Sequence, residues 1–495
     1  MKKIIYILFV FAAATITFNS CSEDFLETSP TDQISEATVF ASTSNAWGAI
    51  NGIHRSLYLR YASQGEGGIG GIMILTDMLG EDVVMTSAGN GWYNNLYKWL
   101  DHRNETDRDN QFPWIVFYRV TANANMIIAN IDDATGVQED RDIIKGQALF
   151  YRAWCHYNLV QFYAQRYDGA GTNSQAGVPI MIDNTIEGLP RSSVEDVYTQ
   201  INADLDDAIV LLQGYDRVNK SHINVDVARG LKARVALTMQ DWATAATYAG
   251  QVIAAADFSL MDSADYTAGF NDYTNDEWMW GCHLIEEQTT YFAHFFAYMS
   301  RNFSSTNIRS NPKAISTLLY AQIPATDVRS VIFDPTGLHT SIGLASNFTI
   351  FPYTSQKFLA VGGADSRGDI PYMRLGEMYL ILAEAQARQS QNGTAQQTLF
   401  DLVSARDGAY TLSANNGQAL INEILLQRRI ELWGEGFRFF DLKRTNSALD
   451  RNGANHNASL CGIFDVPPGD ARWEWLIPRD ELDANPNMDQ NPLTK

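Results

Sequence analysis

The stretch Arg428–Arg444, RRIELWGEGFRFFDLKR, sets four arginines, a lysine and three acids among seven apolar side chains. Read as a helix entered from upstream, Ile421, Ile424, Leu425, Arg428, Glu431, Leu432 and Glu435 recur at helical spacings. Charges therefore share a stripe with apolar residues. Glu431 and Glu435 stand one turn apart, a like-charge pair that an isolated helix disfavours. A cation must sit between them. Arg438 and Arg444 are the nearest in sequence, once the chain turns at Gly434 and Gly436. A half-buried network of this kind fixes a packing angle more than it adds stability, because desolvation cancels much of the attraction. The expectation is a structural ion network of Arg428, Glu431, Glu435, Arg438, Asp441 and Arg444. The competing reading is an anion site made of Arg428, Arg429, Arg438 and Arg444. It is disfavoured because every arginine has an acid within reach in sequence, and buried charges require pairing.

The pattern E-L-x-x-E-G-x-R-x-x-D-L-x-R, carried here by Glu431-Leu432, Glu435-Gly436, Arg438, Asp441-Leu442 and Arg444, resembles the C-terminal signature of the SusD/RagB family of outer-membrane nutrient-binding lipoproteins. Gln427 stands where members often carry Glu. The closing stretch WEWLIPRDELDANPNMDQNP, Trp473 to Pro492, resembles the family's end motif through Ile477-Pro478, Glu481-Leu482, Asn485-Pro486 and Gln490-Asn491-Pro492. Within it Trp473, Trp475 and Ile477 alternate like a short strand. The other end agrees. Lys2 and Lys3 precede an apolar run, Ile4 to Phe18, shorter than the roughly 20 residues of a membrane span, and Ser20 precedes Cys21. This is an export signal over residues 1–20 with lipidation (palmitate) expected on Cys21. Ser22-Glu23-Asp24 resembles the surface-export tag of such lipoproteins.

Composition excludes other classes. The 495 residues carry a formal charge of −21 with no basic cluster, which argues against nucleic acid. Of four cysteines, Cys155 lies in an apolar helical pattern, while Cys282 and Cys461 are free to pair or not. With neither CxxC nor HExxH, no metal site is expected. No P-loop, G-x-S-x-G or dinucleotide fingerprint points to a cofactor or a nucleophile. Adjacent acids such as Glu81-Asp82, Asp132-Asp133 and Asp206-Asp207 are common in so acidic a chain, so they do not identify glycosidase carboxylates. No catalytic residue is assigned, and the chain is not expected to be an enzyme.

The middle of the chain reads as helical. Residues 112–131 and 140–167 show three–four periodicity, and Ser192-Ser193-Val194-Glu195 reads as a capping box for a helix to about Leu212. Two helix pairs follow, one joined near Asp241 and one over residues 372–389 and 394–408. Units of this length resemble tetratricopeptide repeats. The expected fold is mostly α, and the family resemblance implies a superhelical scaffold of such pairs packed against a loop-rich part with few strands. The expected organisation is a signal at 1–20, a lipidated tether at 21–45, a helical region at 46–260, a loop-rich ligand side at 261–370 and the C-terminal region at 371–495.

Rigid scaffolds usually carry function on loops. The first aromatic loop is SAGNGWYNNLYKW, residues 87–99, where Trp92, Tyr93 and Asn94 put flat rings beside an amide. Rings stack on the C–H faces of sugars and amides bond hydroxyls. Tyr97 and Trp99 are expected in the core, with Trp278 and Trp280, which alternate along a half-buried strand. The second loop, residues 286–307, offers Tyr291, Phe292 and Tyr298, either as ligand contacts or as an apolar plug. The Gly/Asn/Ser loops at 169–177 and 361–369 suggest no chemistry. The resemblance implies a cell-surface glycan-binding lipoprotein at the outer membrane that delivers ligand to a SusC-like TonB-dependent transporter. A RagB-like peptide binder with the same partner is the alternative, followed by a helical-repeat adaptor or a concealed hydrolase.

Overall fold

The computed structural model describes residues 36–493, so the export signal and Cys21 lie outside the described residues. Helix begins at Glu36–Val39 and again at Thr43–Ser56, inside the stretch read as a tether.

Long amphipathic helices pack as antiparallel neighbours. Arg108–Asn130 lies on Gln138–Tyr163, which lies on Val194–Leu211. Val225–Met239 pairs with Trp242–Ala255, and Leu375–Arg388 pairs with Asn392–Val403. Asp241 caps the second helix of the first pair by accepting from the Thr244 N–H at 3.1 Å. Ala245 and Ala249 are fully buried there, and this helix packs on Leu375–Arg388. The two sequence-distant pairs thus stack into one scaffold. The cap of Val194–Leu211 is Ser193, not Ser192. Its hydroxyl accepts from Asp196 N at 3.0 Å, while Glu195 turns away to accept from the Tyr167 hydroxyl at 2.8 Å. Both registers satisfy the capping pattern, and contact with Tyr167 accompanies the second.

Strands are short. Val83–Met85, Lys313–Ile315, Thr354–Ser355 and Phe333–Asp334 form an antiparallel sheet in that order. Trp278–Cys282 pairs with Ile370–Arg374, so residues 372–374 belong to a strand rather than to the helix expected there. Every residue of both strands is buried, which covers both faces and removes the alternation of a half-buried sheet. Tyr97 and Trp99 are in the core, as are Trp278 and Trp280. Residues 473–477 form no strand. After a 3₁₀ turn the segment runs alone, with Trp475 N–H donating to Phe162 O and Leu476 N–H to His102 O, each at 3.0 Å. Cys155, Cys282 and Cys461 are all buried free thiols, so the possible Cys282–Cys461 bridge is not made.

The opening stretch folds as helix Gly417–Glu431, a turn, and helix Arg438–Arg444. Glu435 is therefore in the turn and not one helical turn below Glu431. Gly436 has φ +83, and a Cβ there would lie 2.9 Å from Met73 Cα, so both conformation and close approach require glycine. Arg374 is the cation between the acids. Its Nη1 lies 3.1 Å from Glu431 and 2.5 Å from Glu277, and its Nη2 lies 2.7 Å from Glu435. Arg406 joins Glu277 at 2.7 Å and Glu431 at 3.1 Å, and Arg329 joins Asp327 at 2.7 Å and Glu431 at 3.3 Å. Lys357 meets Glu435 at 2.6 Å. Gln427 accepts from Arg329 at 2.6 Å, so an amide does the work of the acid often found at that position.

Arg438 and Arg444 serve other acids than Glu431 and Glu435. Arg438 pairs with Glu81, and Arg444 with Glu384 at 2.8 Å and Asp441 at 2.7 Å. Arg428 meets Asp441 at 2.8 Å and Arg429 meets Asp82 at 2.5 Å. All four arginines of the alternative anion site are thus engaged by carboxylates. Burial alone would raise the pKa of Glu431, but Arg406, Arg374 and Arg329 reverse that and hold it well below the carboxylate range.

Candidate ligand-binding site

Three loops come together away from the helix pairs. Tyr93 donates its hydroxyl to Gly65 O at 2.8 Å, and Tyr298 donates to Gln64 O at 3.2 Å. The Tyr298 ring meets Tyr93 edge-on at 5.1 Å and Trp92 edge-on at 6.3 Å. Gly65 lies against Trp92, where a Cβ would sit 3.5 Å from the indole. The 87–93 segment is pinned to the end of the short helix Thr306–Ser310, since Ser87 Oγ donates to Ser310 O at 2.5 Å and Gly89 packs against Asn311.

Tyr93 and Tyr298 are buried, at 4% and 2% exposure, so they stand behind the surface as braces. Trp92 is half-buried. Asn94 donates to Ala88 O at 3.1 Å, but its carbonyl oxygen is unpartnered among the described residues. Tyr291 and Phe292 are 58% and 50% exposed, with ring centroids 6.5 Å apart. Among the described residues these are the only exposed aromatic side chains. Phe303 supports Phe292 at 6.1 Å, and the Ser366 hydroxyl donates to Tyr291 O. The 361–369 loop, silent in the sequence, thus holds the second aromatic loop in place. Tyr93 and Tyr291 both have left-handed backbones, φ 61 and φ 49. Such values are uncommon for bulky residues and gather at functional sites.

Burial pushes the Tyr298 phenol strongly upward, so it remains a neutral donor at all ordinary pH values. Trp92 offers a partly exposed ring, and Tyr291 and Phe292 offer two exposed ones. These rings can stack on apolar faces, and they present no nucleophile–base pair.

Two further features were not legible. Carboxylate oxygens of Asp101, Asp107 and Asp109 all lie within 4.8 Å of one another, the grouping best suited to a cation among the described residues. Burial, then the neighbouring acids, push Asp101 and Asp109 up to about 7. A cavity of about 530 Å³ opens elsewhere, between the 165–175 loop, the end of helix Arg438–Arg444 and the 468–474 loop.

Comparison with known proteins follows this geometry. The sequence model described as "SusD family" matches residues 296–493, and one described as "Starch-binding associating with outer membrane" matches residues 62–237. A SusD-like protein of Formosa agariphila is 23% identical, with 90% of each chain covered. A SusD-like carbohydrate-binding protein from Bacteroides vulgatus has a crystal structure that superposes with a TM-score of 0.79, at 28% identity, over 91% of this chain and 98% of that one. A laminarin-binding SusD-like protein superposes with a TM-score of 0.72 at 19% identity, over 92% of this chain and all (100%) of the other. The mostly helical fold expected from the sequence is the one these structures share.

Proposed function

Because this chain belongs to the SusD/RagB family, we propose that it is a cell-surface glycan-binding lipoprotein that captures oligosaccharide and passes it to a SusC-like TonB-dependent transporter. The observation that carries the reading is the exposed pair Tyr291 and Phe292, on the same loop unit as the braced Trp92. Exposed apolar groups clustered on a fixed loop mark an interaction site. Exposed aromatic rings suit the apolar C–H faces of a sugar. Carbohydrate binding by the similar B. vulgatus and laminarin-binding proteins supports the ligand class.

The protein binds and does not cleave. The acids Glu277, Glu431 and Glu435 are locked in ion pairs inside the fold. No helix of the described residues is long and apolar enough to cross a membrane. Transport therefore falls to a partner, and the family description places such proteins at the outer membrane. Anchoring through Cys21 would hold the domain there as a lid over the transporter. Contacts made only in the closed state would bias closure when ligand is present.

Glycan-array binding with wild type and Trp92→Ala tests the reading. Binding of an oligosaccharide without reducing-sugar release, weakened by Trp92→Ala, is expected. Binding of peptides alone would move the chain to the RagB-like alternative. Turnover lost on mutating one carboxylate would make it an enzyme. Co-purification of the native protein with a TonB-dependent transporter under mild detergent tests the partner, and mass spectrometry of the mature N-terminus tests the lipid.

A further inference from the structure

The 530 Å³ cavity is within the range of small-molecule sites, about 300–1,000 Å³. Two charged side chains of its wall, Lys443 and Glu474, are each only 7% exposed. Lys443 donates to Gln161 O and Ala164 O, both at 2.6 Å, and burial lowers its pKa to about 7, so its protonated form keeps a third, uncommitted N–H. The Glu474 carboxylate accepts no hydrogen bond and joins no ion pair with any described residue. The two groups attract one another, yet they do not close into a pair. The carboxylate oxygens therefore face the cavity, open to a polar occupant that could accept from the amine and donate to the acid.

The rest of the wall says what kind. The Arg166–Asp168 pair, at 3.2 Å, and the Asp470–Arg472 pair, at 2.7 Å, are self-neutralised. Gln165 and Asn446 line the cavity with exposed amides that make no bond to described residues. Asn173, left-handed at φ 51, ties its own loop by accepting from Asp168 N at 2.8 Å and donating to Asp168 O at 3.1 Å, so this wall is preformed. A carboxylate that accepts from two adjacent hydroxyls, an ammonium that donates to a third oxygen and amides at the rim are complementary to a neutral polyhydroxyl ligand.

We propose that this cavity is a second binding site, separate from the aromatic platform, for one neutral sugar residue or a short neutral oligosaccharide. Glu474 and Lys443 anchor the hydroxyls, and Gln165 and Asn446 guard the mouth. The platform reading and this one share a ligand class but no residue.

Saturation-transfer NMR on the purified full-length protein, with a panel of neutral mono- and disaccharides, tests it in three variants. Trp92→Ala removes the platform ring. Glu474→Gln keeps shape and removes the charge. Gln165→Trp plugs the mouth from an exposed position, so it decides the case even if the buried change impairs folding. At least one saccharide should bind Trp92→Ala within about twofold of wild type and lose tenfold or more in Gln165→Trp and in folded Glu474→Gln. Loss of all binding in Trp92→Ala, or indifference of every ligand to Gln165→Trp, overturns the cavity proposal and leaves the platform standing. Loss of all binding in Gln165→Trp with none in Trp92→Ala supports the cavity and overturns the platform instead.

Discussion

The ion cluster around Arg374 and the aromatic unit around Trp92 were both conspicuous in sequence, and they differ in saturation. Both oxygens of Glu431 accept from buried guanidinium groups, and both oxygens of Glu435 are taken by Arg374 and Lys357. Tyr291 and Phe292 leave half of their surface unmatched, and the Asn94 carbonyl is unbonded. Residue type alone does not separate structure from function, since arginine clusters can bind anions and aromatics can fill cores. The distinction lies in whether the neighbouring protein already satisfies each group.

Acid should strike the saturated region hardest. Glu431, Glu435, Asp441 and Glu384 are depressed by their cations despite burial. Their contribution is complete above the ordinary carboxylate pKa, about 4, and is lost as pH falls through their lower folded values. Asp101 and Asp109 run the other way. Raised to about 7 in the fold, they favour it most at low pH, and that contribution is lost as pH rises through about 7. As far as these groups decide, the urea midpoint should be highest near the ordinary carboxylate pKa, about 4, and Asp101→Asn should soften the decline from there toward about pH 7.

Arg374→Ala comes next. It takes one cation from three buried acids, Glu277, Glu431 and Glu435, which keep Arg406, Arg329 and Lys357 between them, and unfolding titrations should show a loss of about 3–5 kcal/mol, with the folded fraction binding glycan normally. Retained stability with lost binding would break the comparison. Arg438→Ala should cost less, about 1–3 kcal/mol. Its side chain is 18% exposed, and Asp82 keeps Arg429. Trp92→Ala should leave the melting temperature unchanged and weaken glycan affinity by roughly 1–3 kcal/mol, read by calorimetry. Phe292→Ala, from a more open position, should weaken it by about 0.5–1 kcal/mol. A larger effect for Phe292 than for Trp92 would shift the centre of the site toward the second loop.

Much of this was legible because it is local. Helix pairs announce themselves by periodicity, and the turn between the last two charged helices by Gly434 and Gly436. The nature of the ion network was readable too, but not its partners. Glu277, Asp327, Lys357 and Arg406 lie far from Glu431 along the chain, and long-range pairing leaves no local pattern. Arg374 was hidden in an apparent helix because Tyr372, Met373 and Leu375 continue its apolar run. The pairing with Trp278–Cys282 overrides that local signal. Of the aromatic picks, the sequence could not say that Tyr93 and Tyr298 face inward while Tyr291 and Phe292 face out, since neither loop has a period. Lys443 and Glu474 meet only in the finished fold.

The Arg374 cluster also sets an order of events for the newborn chain. Its members come from separate segments, at residues 277, 327, 357, 374, 406 and 431–435. A polypeptide still being made cannot neutralise Arg374 with Glu431 and Glu435 until they have emerged after it. The cluster is a latch that can close only once all of its segments are out.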